Sequence, residues 1–589
     1  MKFKFLLPLL CGLVLLASGQ QAGTSSGNFV TEKDVDVPMR DGVTLRADVL
    51  RPRGDGPFPV LVYRTPYGKE PALQEYTTFR HAVEHGYAVV VQDVRGRYAS
   101  DGEFRPYENE GRDGYDTIEW AARQPWSNGA VGTFGLSYPG AVQWLAAVEN
   151  PPHLKAMVPA MTFSSAQNFF YAGGLWDMSW IEWIWDNIAP DIRAKRDLPG
   201  PKTPDDASAA WGQASPKMLY TVPLDQLEEL RGIAPYYYYD WLKHPYDDPW
   251  WDWCDLRSKY SRVHAAVLNF SGWYDDNYGP EGATTNFAGL LKARASEPDP
   301  QTHLLVGPWV HGVASTAKTK SGERQFGPAA AIDYDEVVLR WMDRYLRSVP
   351  NGVEKEKPVR YFVMGDDQWR EADAWPPAST STSYYLATPK SGDVHGRLST
   401  DAPREKNALG SFLSDPEKPV LNSYSSSGAH DYKSLVERKD VMTFDSAPLE
   451  RDIEVTGPIN ADIYLACDCL DTDLWVRLLD VAPDGTAFNL MSPGLDVLRA
   501  SYRDLKKGRQ LLTPKRVHEL HLENLITSNV FQKGHRIRVQ ISATFFPNFS
   551  RNLQSGELEN SSAKMQKANI SIYTDRRHPS RIVLPVVSR

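Results

Sequence analysis

The 589-residue chain predicts an α/β fold, interrupted by a helical cap and followed by a C-terminal β-sandwich. Three observations carry that reading. Short apolar runs bounded by turn residues, at 60–63, 87–91, 131–134, 267–270 and 304–306, have the character of strands buried on both faces of a parallel sheet. Nine of the 18 tryptophans fall between Leu175 and Cys254, where the strand pattern gives way to helices and long loops. From about Pro358 onward the chain turns to short alternating runs, at 382–386, 459–465, 474–481, 517–522 and 536–541. They are separated by turns such as Pro483-Asp484-Gly485, the spacing of an antiparallel sandwich.

In chain order, the first segment lies outside the fold. Lys2 and Lys4 precede an apolar run, 5–17, that ends in Ala17-Ser18-Gly19, with small residues where a signal peptidase reads. Residues 1–19 therefore read as a signal peptide cleaved before Gln20, which predicts an exported, periplasmic or extracellular protein. The run is too short to span a bilayer, and no later segment is apolar enough to do so. A lipoprotein would need a small residue before Cys11, where Leu10 stands. The polar stretch 21–28 is then a tail. The remaining length exceeds what one core can hold, and it divides into 29–159 (α/β domain, first part), 160–260 (cap), 261–352 (α/β domain, second part) and 357–589 (sandwich). A net charge of −9 with both signs dispersed and no basic tract excludes nucleic acid as a partner. Of the mature cysteines, Cys467 and Cys469 alternate along a strand-like run, which would set their Cα atoms about 6.5–7 Å apart, near the limit for a bridge. They read, with Cys254, as buried thiols. No histidine stands near them to complete a metal site, and no metal is expected.

Strand-like residues 130–134 and helix-like residues 141–148 flank Gly135-Leu136-Ser137-Tyr138-Pro139-Gly140. A serine on a tight strand-to-helix turn is a nucleophile elbow, in which strained backbone angles expose the hydroxyl beside helix-start N–H groups. One departure stands out: the second glycine of the usual pattern is displaced by one, with Pro139 in its place. Downstream, the run 265–270 leads into Ser271-Gly272-Trp273-Tyr274-Asp275, and 303–306 leads into Gly307-Pro308-Trp309-Val310-His311. Each of these groups follows the carboxyl end of a buried strand, the edge where catalytic groups gather in α/β sheets. The order Ser137, Asp275, His311 is that of an α/β hydrolase, with histidine as base and aspartate fixing its tautomer. Helices are expected at 111–123 and 335–347, packed on the sheet.

These motifs, with Tyr63-Arg64-Thr65-Pro66-Tyr67-Gly68 and Asp93-Val94-Arg95-Gly96-Arg97-Tyr98, resemble the cocaine esterase and X-Pro dipeptidyl-peptidase family of α/β-hydrolase-fold serine hydrolases. The resemblance continues through residues 358–365, Gly457-Pro458 and residues 546–552, so it spans nearly all of the mature chain. It implies that the displaced glycine is tolerated, that the sandwich is a jelly roll, and that no cofactor is used. It also implies an oxyanion hole made of the Tyr67 hydroxyl and the backbone N–H of Tyr138. Members include carboxylesterases, amino-acid ester hydrolases, β-lactam acylases and dipeptidyl-peptidases, so the resemblance leaves the substrate open among small esters, amides and short peptides.

Trp176, Trp180 and Trp183, with Phe169 and Phe170, are the candidates to line the acyl pocket. The spacing of 176, 180, 183 and 185 cannot put all four tryptophans on one helix face, so some must pack the cap. Recognition of an α-ammonium group requires carboxylates near the acyl pocket, because an unpaired cation is costly to desolvate. The amino-acid ester hydrolases of the family place theirs shortly after the catalytic aspartate, where Asn277 and Tyr278 stand here. Residues 161–176 hold no acid, and Asp276 reads as a solvated loop charge. The expectation is therefore a neutral, apolar or aromatic acyl group, with an X-Pro dipeptidyl-peptidase or an amino-acid ester hydrolase as the alternative. From another class come an inactive binding protein and a carbohydrate-binding role for the sandwich. The sequence leaves homo-oligomerisation open.

Overall fold

A computed structural model describes residues 29–165, 169–276, 279–388, 394–492 and 496–588. The signal peptide read at residues 1–19, the tail at 21–28 and the positions Asn277 and Tyr278 lie outside the described residues.

Among the described residues, ten strands form one sheet. They are β1 (Phe29–Pro38), β2 (Thr44–Pro52), β3 (Phe58–Thr65), β4 (Ala88–Asp93), β5 (Ser127–Leu136), β6 (Leu154–Ala160), and then Ala266–Tyr274, Thr302–Val310, Val359–Val363 and Gln368–Ala372. Their spatial order is β1-β2-β4-β3-β5-β6, followed by the last four in chain order. From β4 to Val359–Val363 every neighbour is parallel, and antiparallel pairs close both edges. The parallel strands are covered on both faces, as their continuous apolar runs require. The alternation of side chains along β3 sorts them: Val60 and Val62 face α3 (Glu110–Ala122) and α4 (Tyr138–Ala147). Leu61 and Tyr63 face α2 (Thr78–Glu84) and the helix Tyr334–Leu346. That last helix starts at Asp333, whose carboxylate accepts from the Asp335 and Glu336 N–H groups at 2.9 and 3.2 Å, as an N-cap should.

The first two strands after residue 357, the hairpin Val359–Val363/Gln368–Ala372, join this sheet and not the C-terminal one. The reason is register: Val359 to Tyr361 continue the parallel ladder from Leu304 to Val306, a pairing that short alternating strands do not announce. Between β6 and Ala266 the chain forms the cap, including the helix Ser179–Trp183, a π-helical turn Ile184–Ile188 and the helix Ala189–Arg196. The aromatic core of the cap is continuous with the α3/α4 face of the sheet.

From Thr380 onward, twelve strands among the described residues form a second sheet, antiparallel apart from the pair His395–Ser399 and Met442–Asp445. Its core holds Ile463, Leu465, Val476, Leu478, Val539, Ile541, Ile570 and Ile572. Cys467 and Cys469 form a disulfide, with Cα atoms 5.2 Å apart, instead of the two thiols expected. The strand Ile453–Cys467 ends at the first of them, so the flat spacing of a strand no longer applies and the chain bends into bridging range. Cys254 is a buried free thiol. Among the described residues no helix is long and apolar enough to cross a membrane, and no cluster of His, Cys, Asp and Glu could hold a metal ion.

Candidate active site

Ser137 sits between β5 and α4 with φ 67° and ψ −127°, a conformation that costs on the order of 1–3 kcal/mol and persists only where the surroundings impose it. Three features impose it here. The Ser137 N–H donates to the Ala160 carbonyl of β6 at 3.1 Å, while its own carbonyl accepts from Gly140 and Ala141 at 2.9 and 2.8 Å. The Gln143 amide, fully inside, donates to the carbonyls of Gly135, Pro139 and Val158. The displaced glycine also finds its reason: a Cβ on Gly140 would lie 2.6 Å from the Ala160 carbonyl oxygen. Pro139 falls in the first turn of α4, where no N–H is needed.

Asp275 follows Ala266–Tyr274 and His311 follows Thr302–Val310, so both stand at the same sheet edge as Ser137. His311 Nδ1 donates to Asp275 Oδ1 at 2.7 Å, with Asp275 fully buried. This bond fixes the tautomer that leaves Nε2 as a proton acceptor. Burial opposes protonation of His311, but the charge and hydrogen bond of Asp275, with the charge of Asp276, outweigh it and raise the imidazole above its ordinary value.

Tyr67 lies just beyond β3, its ring edge-on to that of Tyr138 with centres 6.4 Å apart, and Ser137 is among the groups that act on its hydroxyl. Burial raises the pKa of this phenol, so it stays protonated and able to donate. Tyr138 occupies the first position of α4, where its N–H is one of the helix-start donors with no partner inside the helix. Its side chain points inward: the hydroxyl donates to Glu110 Oε1 at 2.8 Å and accepts from the Tyr107 N–H at 3.0 Å. Glu110 pairs in turn with Arg64 at 2.8 Å, both side chains 3% exposed. Breaking such a buried pair costs about 3–5 kcal/mol. Arg64 and Glu110 thus anchor the residue after the serine, and nothing in their sequence surroundings marks them for it.

A cavity of about 250 Å³ opens over Ser137, and its lining includes the rings of Phe169, Trp180 and Trp183 and the carboxylates of Asp177, Glu182 and Asp186. Trp176 and Phe170 are not part of it. Trp176 packs on Tyr171 and Tyr238, and Phe170 packs against Trp180, Trp241 and Trp251, both fully buried. The aromatic stretch is too dense for every ring to reach the cleft.

The carboxylates went unnoticed in the sequence because they come from the cap, not from the loop after Asp275. Burial raises all three; Asp177 reaches about 7, with Asp276 adding to it, and Asp186 and Asp276 add to Glu182. Asp276 is no solvated charge: it is half-buried, accepts from the Ser427 hydroxyl, and acts on His311 as well as on the cap acids. The signal was present in one form, since the chain carries no lysine or arginine between Lys155 and Arg193.

Comparison with known proteins agrees with this architecture. The family described as X-Pro dipeptidyl-peptidase (S15 family) matches residues 41–313, and the X-Pro dipeptidyl-peptidase C-terminal non-catalytic domain matches 351–583. Cocaine esterase of Rhodococcus sp. (strain MB1 Bresler) is 32% identical, covering 96% of this chain and 100% of that one. A putative serine esterase of Mycobacterium tuberculosis is 27% identical, covering 94% of each. Among solved structures, an aminopeptidase from the marine sediment archaeon Thaumarchaeota archaeon and an α-amino acid ester hydrolase each share the fold. Both have a TM-score of 0.78 at 22% identity, covering 97% of this chain and 99% and 98% of theirs. With sheet, elbow, Asp–His pair and C-terminal region accounted for over the full length, the chain belongs to the X-Pro dipeptidyl-peptidase and cocaine esterase family of serine hydrolases.

Proposed function

We propose that the protein hydrolyses esters or amides by acyl transfer through Ser137, and that its preferred acyl groups carry an ammonium beside an apolar or aromatic portion. Ser137 Oγ attacks the acyl carbon while His311 Nε2 takes its proton and Asp275 steadies the imidazolium. The Tyr67 hydroxyl and the Tyr138 N–H hold the oxyanion. Collapse breaks the bond to the leaving alcohol or amine, which takes the proton from His311, and water then repeats the sequence to release the acid.

The observation that carries the substrate reading is the lining of the cavity. Asp177, Glu182 and Asp186 face the space beside Ser137, the charges raising Asp177 and Glu182 are those of other carboxylates, and one Asp186 oxygen is buried with no hydrogen-bond partner. Carboxylates gathered along one cleft, each raised by burial and two of them by the charge of a neighbouring acid, favour a cation entering it. Phe169, Trp180 and Trp183 add apolar surface to the same lining, which retains the aromatic part of the expectation and replaces its neutral part. Export belongs to the same proposal and rests on residues 1–19.

Paired substrates test this: an α-amino acyl aryl ester and its deamino isostere. The ammonium ester should be hydrolysed with a kcat/KM about tenfold higher, worth about 1.4 kcal/mol. Asp177→Asn should remove most of that advantage while leaving the neutral ester within about threefold. Preference for the neutral ester, undisturbed by Asp177→Asn, would restore the neutral acyl pocket.

A further inference from the structure

Tyr67 is held by groups outside the triad. The Trp183 indole Nε1–H donates to the Tyr67 hydroxyl oxygen at 3.0 Å. An indole N–H can only donate, so the Tyr67 oxygen must accept there and its own proton must turn elsewhere. Ser137, the residue before Tyr138, is a neighbour that acts on this hydroxyl, and the Tyr67 ring meets that of Tyr138 with centres 6.4 Å apart.

The same contact is tied down from behind. Arg97 is fully buried; its Nε donates to the Pro66 carbonyl at 2.8 Å, and its two terminal nitrogens donate to the Ile188 and Asn187 carbonyls at 2.9 Å each. One planar guanidinium therefore joins the turn that ends in Tyr67 to the π-helical turn that follows Trp183. Single π-turns inside helices recur at functional sites. Trp183 also stacks on Tyr138, with ring centres 6.2 Å apart and planes 8° apart, and it lines the acyl cavity.

We propose that Trp183 is a positioning residue for the oxyanion hole: from inside the acyl pocket it sets the direction of the Tyr67 proton, so that filling the pocket and aiming the oxyanion donor are one event. The proposal rests on the reading of Ser137 as nucleophile and Tyr67 as oxyanion donor. An acyl group that presses on the Trp183 ring holds the donor in place, whereas one too small to reach it leaves the donor free to turn. Selectivity among acyl groups then appears in kcat more than in KM, as binding energy used in the transition state does.

A double-mutant cycle decides it, with benzothienylalanine at position 183, which exchanges the N–H for sulfur at nearly constant shape, and Trp183→Phe as the genetically encoded counterpart. For the preferred ester, either change should lower kcat about tenfold with KM within about twofold, and Tyr67→Phe should lower it about a hundredfold. Combined with Tyr67→Phe, either change at 183 should cost nothing further. A full additional loss in the Tyr67→Phe background, or a rise in KM at constant kcat, would show that Trp183 acts through the pocket alone and overturn the proposal. No effect at 183 with a large effect at Tyr67 would also overturn it while leaving the oxyanion reading standing. Unaltered turnover in both Tyr67→Phe and Ser137→Ala would remove the catalytic reading itself.

Discussion

Two carboxylates act on His311, and each has a visible consequence for pH. Asp275 holds Nδ1 at 2.7 Å, and Asp276 adds a second negative charge that favours the imidazolium. The base must be neutral to accept the serine proton, so activity on a neutral aryl ester should rise with pH through an apparent pKa above the ordinary 6.5. Asp276→Asn removes an anion that retains the proton, so the limb should move toward lower pH. A pH profile of kcat/KM for both proteins checks the sign; an unmoved limb, or one moved upward, would mean that Asp276 does not act on His311. At this scale the sequence was most legible. Ser137, Asp275 and His311 each follow an apolar run at a strand end, so type, order and placement could be read together. Glu110, Arg64 and the cap acids could not, because their importance comes from residues far away in the chain: Glu110 meets Arg64 across 46 positions and Tyr138 across 28.

The elbow and the cap show the same contrast among elements. The elbow is local, and its displaced glycine follows from the close approach of α4 to β6 rather than from the turn. Gly140→Ala would push a methyl 2.6 Å from the Ala160 carbonyl oxygen, backbone that cannot yield without moving Ser137. It should therefore cost about 1–3 kcal/mol of stability and lower turnover with it. Gly212, inside the helix Pro204–Tyr220, has no atom within 4 Å of its added Cβ. Gly212→Ala should instead raise stability by about 0.5–1 kcal/mol. Thermal melts of the two variants check the pair, and a stable, fully active Gly140→Ala protein would contradict the account of the elbow. The cap was legible as helical and aromatic but not in its lining, because a tryptophan-rich run gives no period by which to separate packing rings from cleft rings. The disulfide and the hairpin at Val359–Ala372 were missed for a related reason: one depends on where a strand ends, the other on which sheet it joins.

Across the whole molecule, the C-terminal region holds the stretch of cap that carries Asp177. Trp176 and Met178, on either side of Asp177, bond to the backbone and side chain of Ser550 and to the carbonyl of Asn548. Ser550 leads through Glu559 to Arg499, which also grips Asp473 at 2.9 Å. Ser427 reaches Asp276 from the same region. The cap that lines the acyl pocket is thus held by residues far away in the chain, so its acids could be inferred only once the fold was in view, whereas Ser137, Asp275 and His311, each at a strand end of one sheet, could be named beforehand as candidates. The central claim is that Ser137 is the acyl-accepting nucleophile. Peptide mass spectrometry after reaction of the folded protein with a fluorophosphonate tests it most directly. The account predicts a single adduct, on the peptide containing Ser137, absent in Ser137→Ala and suppressed by a competing ester. Failure of the folded protein to label, or an adduct on another serine that survives Ser137→Ala, would contradict it.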